Sequence, residues 1–438
     1  MTTVDSPANI NSLACDGMAV EALSLNEPAW MQTARRQAWT RFEQTAMPGR
    51  TDEAWRRLDL RGFDPAAFRP AASPFETSAW PANLRTACDL SADQIAGGLA
   101  YRNNHVHRWI SPVAHSRGVV VSDLASALAT HASTLEPLLT SASTDGKLAN
   151  LSQALWNRGT FIYVPRHAQV ELPLHALLVE SASGVGYFPR TVIVLDDDAQ
   201  ATVIEESLAD ASTGANLSGG LTTIWVKAGA RLAYAQLQQL GSQTRRFLWQ
   251  QIRVERNGQC VVFNGEFGGQ QSRIEVTADL LGPGARSELF GLVMGRDQQH
   301  VDVHTFQQHT APQTSSDLLY KSVLRDRARA TYQGLIRVTK AAQKTDAYQA
   351  NRNLLLSHEA KAESIPKLEI EADDVRCTHG ATVGHVDEEL QFYLRSRGLS
   401  LDEADRMIVD GFVGELLARL PQTALRDRTQ WHLQRLPV

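Results

Sequence analysis

Two stretches of the chain carry side chains whose types and spacing could do chemistry. The sharper is Asp373-Asp374-Val375-Arg376-Cys377-Thr378-His379-Gly380. In an extended strand the period of two puts Cys377 and His379 on one face and Thr378 on the other. A thiolate beside an imidazole suits a soft metal or sulfur handling. Read from spacing alone, the pair more often marks a core thiol next to a satisfied histidine. The second stretch is His300-Val301-Asp302-Val303-His304, followed by His309. Alternation there brings His300, Asp302 and His304 to one face, where two imidazoles and a carboxylate could approach one metal ion. Ligands so close together rarely complete a shell unaided, so such a metal would be labile, and a solvated strand face is the plainer alternative.

The elements that must position these residues belong to a long chain. At 438 residues it has room for two or three domains and a buried core. Hydrophobic residues make up 43% and charged residues 21%, the usage of a globular protein rather than a disordered chain or a coiled-coil rod. The 43 Lys and Arg against 48 Asp and Glu give a net charge of -5. That balance supplies no field for a polyanion, so no nucleic-acid partner is expected. Cys15, Cys88, Cys260 and Cys377 are too few for a disulfide framework. The opening Met1-Thr2-Thr3-Val4-Asp5 lacks a secretory pattern and no apolar run approaches a bilayer span, so the expectation is a cytoplasmic chain without membrane contact. No Walker-type glycine loop, Gly-x-Ser-x-Gly elbow or Cys-x-x-Cys pair occurs. The chain is therefore expected to bind no nucleotide and to carry no nucleophile elbow.

Helical spacing runs from Pro28 to about Ala46, a second start is read at Thr51 to Trp55, and short helical patterns follow at Ser91 to Leu99 and Asp123 to Leu139. Residues 1–150 are accordingly expected to form a mostly helical domain. From Leu155 onward the texture becomes short β-rich runs: Phe161 to Val164, Thr191 to Leu195, Thr222 to Val226 and Cys260 to Phe263. A turn followed by alternating residues begins at Asp198, Gly229, Gly258, Gly284 and Arg327, at intervals of 31, 29, 26 and 43 residues. Such quasi-periodicity predicts a solenoid over residues 151–385, with an antiparallel sandwich as the alternative. Residues 386–438 read as helices. Asp387 caps the first, Gly398 ends it, and Ser400 to Glu403 form a capping box for a second with Ala404, Met407, Ile408, Phe412 and Leu416 on one face.

Taken together, several motifs resemble the SufB/SufD family of iron-sulfur cluster assembly proteins, most nearly its SufD members. They are Asn353 to Ser357, Ala362 to Ile370, Asp373 to Gly384 and Phe392-Tyr393-Leu394-Arg395-Ser396-Arg397-Gly398. Gly159 to Pro165, Gly334 to Val338, Asp346 to Gln349 and Pro48 to Trp55 extend the likeness over nearly the whole chain. His379-Gly380-Ala381-Thr382-Val383-Gly384 is SufD wording; a SufB-like paralogue carrying the cluster itself is the competitor. The resemblance implies a mainly β fold, a right-handed parallel β-helix flanked by helical segments. It also implies a non-catalytic scaffold that pairs with a SufB-like subunit through the β-helix and with a SufC-like ATPase through the C-terminal helices, at Phe392, Tyr393, Arg395, Arg397, Met407 and Phe412. The cargo would be iron or a transient iron-sulfur cluster, with His379 and Cys377 as its ligands at the subunit border. A reduced flavin in the complex and a homodimer of the chain alone are compatible with it. His385 departs from the family wording. A β-helix enzyme acting on polysaccharide is the reading from a different functional class.

Overall fold

The computed structural model describes residues 14–71, 75–77, 94–102, 105–140, 146–210 and 214–436; Cys88 and the expected helix start at Ser91 lie outside them. Among these residues two sheets of 11 strands each run side by side, and from Pro189–Leu195 onward successive strands of the chain alternate between them. The first sheet includes Arg158–Val164, Pro189–Leu195, Leu217–Val226, Arg245–Val254, Gln271–Leu280, His300–His309, Arg329–Val338 and Lys361–Ile370. The second includes Leu174–Glu180, Gln200–Ala209, Arg231–Gln239, Gln259–Glu266, Arg286–Gly295, Ser315–Leu324, Asp346–Leu355 and Arg376–His385. Every pairing among these strands is parallel. One coil is thus one strand of each sheet, and a given rung position recurs in register at Gln200, Arg231, Gln259, Arg286, Ser315, Asp346 and Arg376. The sandwich alternative falls, because a sandwich would pair neighbouring strands antiparallel.

The coils are held in register at their corners. His167, Asp198, Gly229, Asn257, Gly284, Gln313 and Lys344 all take a left-handed backbone, with φ between 56° and 73°. Each sends its N–H to a carbonyl of the next coil's turn, as Asp198 does to Ala228 at 2.9 Å and Asn257 to Pro283 at 3.0 Å. Asn, Asp and Gly tolerate this region best, which is why turn residues punctuated the sequence so regularly. The turn at Arg327 belongs to the opposite corner, since it leads into Arg329–Val338 of the first sheet. The matching turn in the second sheet's series is at Gln313, and the interval of 43 residues arises from mixing the two corners.

Three apolar layers stabilise this stack. One fills the coils from Ala96 and Leu99 to Leu355 and Ala360. A second lies between the N-terminal helices and the outer face of the first sheet, where Phe161, Val192, Val194 and Phe247 meet Met31, Leu128, Leu135 and Leu151. The third seals the outer face of the second sheet under the C-terminal helices, with Val409, Val413, Leu416 and Leu425 against Phe263, Phe290, Leu292 and Leu319.

The first 150 residues are less helical than expected. Helix Ala29–Gln44 forms as read, and Asp123 caps Leu124–Thr130. Thr51 to Trp55, however, makes only turns. Gly97–Arg102, His105–Ile110 and Val120–Asp123 are strands that join the sheets. Gly97–Arg102 packs so closely on Leu174–Glu180 that a Cβ at Gly98 would sit 2.8 Å from the His175 carbonyl. A short buried run of this kind has no periodicity to separate strand from helix. Antiparallel pairing of Gly97–Arg102 with His105–Ile110, and of Val120–Asp123 with Arg158–Val164, closes the early end of the stack.

Helix Thr423–Leu433 is fixed by a buried carboxylate. Glu206 accepts from Arg428 Nε at 2.6 Å and lies 2.7 Å from His432 Nε2 and 2.5 Å from His175 Nε2. Burial opposes its ionisation, but Arg428 and His175 outweigh burial and hold the carboxyl well below the usual range. Glu206→Ala strands the Arg428 guanidinium, so we expect a loss of about 3–5 kcal/mol in denaturant unfolding at neutral pH. Because the folded-state pKa is depressed, the wild-type advantage should be complete above the ordinary glutamate value of about 4.3. It should then decline as the pH falls from there through the folded-state value. A gap that widens in acid would contradict the ion-paired state.

Candidate functional site at the open end of the stack

Lys361–Ile370 ends one sheet and Arg376–His385 ends the other, and among the described residues nothing pairs with their outer edges. The coil ends here because Asp387 caps helix Glu388–Ser396 immediately afterwards, accepting from the N–H groups of Glu389 and Leu390. Cys377 is in register with Ala347 and His379 with Gln349, both buried inside the preceding coil. The alternation expected from sequence therefore holds: both side chains project to the inner face of the last coil. With no further coil above them, Ile370 and Val383 on the same inner faces stay 43% and 49% exposed. A solenoid end of this kind leaves apolar surface and a row of backbone groups without partners.

The two side chains sit in different surroundings. Cys377 is half-buried against a cluster containing Ile336, Val338, Ala342 and Ala347. Burial and the Asp346 carboxylate together push its thiol above the ordinary value, against the backbone hydrogen bond with Ala347. His379 is exposed. Gln349 beneath it is tied down, donating to the Lys367 carbonyl at 3.1 Å and accepting from the Tyr332 hydroxyl at 3.3 Å. The close fit at Gly334, where a Cβ would lie 2.4 Å from Gln349 Oε1, leaves that glutamine no slack. The site is thus an immobile floor with one thiol and one imidazole above it, open on one side. His385, in register with Leu355 at the far corner, stands 5.5 Å from His358 between ring centroids.

Asp302 and His304, which with His300 could have approached one metal ion, are engaged with other side chains instead. Asp302 is fully buried and accepts from Arg273 Nη1 at 2.6 Å, while His304 Nε2 lies 3.1 Å from Asp302 and 3.0 Å from both Arg273 and Gln333. A permanently charged guanidinium occupies the place a cation would need, and Trp55 stacks on it at 3.9 Å. His300 shows no side-chain hydrogen bond to either residue. Among the described residues no group of three or more His, Cys, Asp or Glu side chains is arranged to hold a metal. The cluster's role is to anchor the Trp55 segment on the first sheet.

The C-terminal residues expected to meet a partner divide in two. Phe392 is 73% exposed, Tyr393 and Met407 52% each. Arg395 and Arg397 are exposed as well, with Arg397 5.1 Å from the Tyr393 ring. Phe412 is turned inward instead. It packs toward the third apolar layer, its carbonyl accepts from buried Lys321 at 2.6 Å, and Lys321 also pairs with Glu415. The apolar face of Leu401–Ala418 is therefore spent on the stack. The free surface is helix Glu388–Ser396, which buries no residue of its own. Sequence pattern missed Gln349 and Tyr332. Counting back one coil from His379 would have found Gln349.

Geometry and sequence comparison agree on the class. The stack with its helical ends matches a protein-family model described as the SUF system FeS cluster assembly SufBD core domain over residues 178–412, and one for the SufBD protein N-terminal region over 18–176. The chain belongs to the SufBD family of iron-sulfur cluster assembly proteins. It is 28% identical over 413 residues to the iron-sulfur cluster assembly protein SufB of Bacillus subtilis, covering 90% of this chain and 87% of that one. It is likewise 28% identical to SufBD family proteins of Staphylococcus haemolyticus and Staphylococcus aureus, over 407 and 408 residues and with the same coverage. The two matched regions adjoin near residue 177, and the core match runs into helix Leu401–Ala418. Membership of this family displaces the polysaccharide reading. Among the described residues no helix is long and apolar enough to cross a membrane.

The burial pattern orders the thiols. Cys15 and Cys260 are buried, with their pKa pushed up to about 12 by desolvation, whereas Cys377 is only half-buried. Native alkylation mapped by mass spectrometry should modify Cys377 before Cys15 and Cys260. Asp346→Asn, which removes a charge that raises the thiol pKa, should shift the pH profile of that reaction downward. An unshifted profile would remove Asp346 as a cause.

Proposed function

We propose that this chain is a non-catalytic, SufD-like scaffold subunit that offers Cys377 and His379 to iron or a nascent iron-sulfur cluster at a border completed by a SufB-like subunit. The observation that carries this reading is the uncovered last coil. Two sheet edges lacking partners can be satisfied by matching strands of a second solenoid, giving sheets continuous across two chains. One thiol and one imidazole supply half of a four-ligand shell, and ligands drawn from the facing chain would supply the remainder. ATP hydrolysis belongs in this scheme to a SufC-like ATPase, which docks on the exposed Phe392, Tyr393, Arg395 and Arg397 with Met407 beside them.

Two experiments test the reading. In the co-expressed complex purified without oxygen, His379→Ala should leave subunit composition unchanged and lower iron and sulfide content. Equal metal content would sink the site. Phe392→Ser combined with Tyr393→Ser should lose the ATPase on co-purification and keep the β-helix partner, because neither side chain is part of the packed core. Removing residues 386–438 altogether would instead expose the third apolar layer, unpair Lys321 and leave Glu206 with His175 alone.

The likeness to the Bacillus subtilis SufB favours a second reading, a SufB-like chain that carries the cluster itself. That reading requires iron and sulfide to be retained when the chain is reconstituted alone. The SufD-like reading requires the partner.

A further inference from the structure

Four buried guanidinium groups of this protein are matched with carboxylates. Arg35 pairs with Glu27, Arg246 with Glu266, Arg273 with Asp302 and Arg428 with Glu206, each at 2.6 Å. Arg190 breaks the pattern. It lies in strand Pro189–Leu195, beneath the N-terminal helices, and is 3% exposed. Its side chain donates from Nη2 to Thr223 Oγ1 at 3.2 Å, and among the described residues no carboxylate pairs with it. Burial lowers its pKa to about 10, with no opposing charge to restore it. The group is still protonated at neutral pH. A buried cation left without an anion costs several kcal/mol, which is why such groups are ordinarily paired.

Arg190 opens on a cavity of about 30 Å³ between the first sheet and the helices. Arg41 lines the same cavity, and its own partners are neutral: Nε donates to Asn150 at 3.0 Å and Nη2 to Gln153 at 3.2 Å. Gln37 and Thr140 add polar wall, Met31 and Trp156 apolar wall, and among the described residues no Asp or Glu lines the space. The carboxylate of Glu27 is taken by Arg35 through both oxygens. Buried Arg190 and exposed Arg41 thus face one void that no carboxylate of the described residues lines. The volume exceeds the roughly 10–15 Å³ that admits a water. It falls far below the roughly 300 Å³ at which pockets for larger organic ligands begin.

We propose that this cavity is a binding site for a small monovalent anion, a halide or the carboxylate group of a short acid, held between Arg190 and Arg41. The anion would neutralise the interior of the joint between Ala29–Gln44, Ala132–Thr140 and the β stack, so its binding stabilises the attachment of the N-terminal helices. The site lies on the opposite flank from the C-terminal helices and does not depend on the role assigned to Cys377 and His379.

Bromide is the direct probe. Crystals of the full chain soaked in sodium bromide should show an anomalous peak within hydrogen-bond reach of the Arg190 guanidinium. In solution, thermal unfolding at fixed ionic strength should show a saturable rise in Tm with chloride or acetate. Arg41→Gln, at the exposed wall, should need about tenfold more anion for the same rise. Arg190→Met should abolish the rise. A response to chloride alone identifies a halide site, and a stronger response to acetate identifies a carboxylate site. No bromide peak at Arg190, together with the same anion dependence in wild type and Arg41→Gln, would overturn the proposal even if Arg190→Met does not fold.

Discussion

A strand in a parallel stack takes half of its backbone hydrogen bonds from the coil below and must find the other half above. That requirement governs this protein from one end to the other. It is met inside the stack by the next coil, and at the early end by Gly97–Arg102, which runs parallel to Leu174–Glu180, and by Val120–Asp123, which runs antiparallel to Arg158–Val164. At the late end Lys361–Ile370 and Arg376–His385 leave it unmet. The asymmetry gives the molecule a direction: one closed terminus under helices, one open terminus bearing a thiol and an imidazole.

The helices at either end solve a different problem, covering the outer faces of the two sheets. They are attached by buried charge as well as by apolar packing. Glu206 holds Arg428 and His432, Lys321 holds Glu415, and Arg273 joins Asp302 to the Ala54 carbonyl under the Trp55 ring. Such pairs contribute little over an apolar replacement of both partners, but breaking one partner is costly. They fix where each helix sits on a repetitive surface whose coils are otherwise similar. This explains why the His300 to His304 stretch, chemically suggestive on paper, is structural: its carboxylate was needed by a guanidinium from the neighbouring coil.

Fixed helices leave helix Glu388–Ser396 as the exception, since it buries none of its residues and exposes Phe392 and Tyr393. The open coil precedes it directly, so an uncovered sheet edge and an uncovered helix are adjacent in the chain.

Several features were legible from residues alone because they depend only on local geometry. The period of two placed Cys377 and His379 on one face, the turn residues announced the corners, and Asp387, Ser400 and Glu403 announced the helix caps. What the chain could not disclose by itself was everything set by contacts between coils. The strand character of Gly97–Arg102 comes from pairing with Leu174–Glu180, the inward turn of Phe412 from Lys321, and the capture of Asp302 from Arg273 one coil away. Side-chain alternation is a property of neighbouring peptide units and survives in any context. Partnership between residues dozens of positions apart exists only once the coils have stacked, so only the tertiary structure decided which charges are spent within the protein and which remain for others.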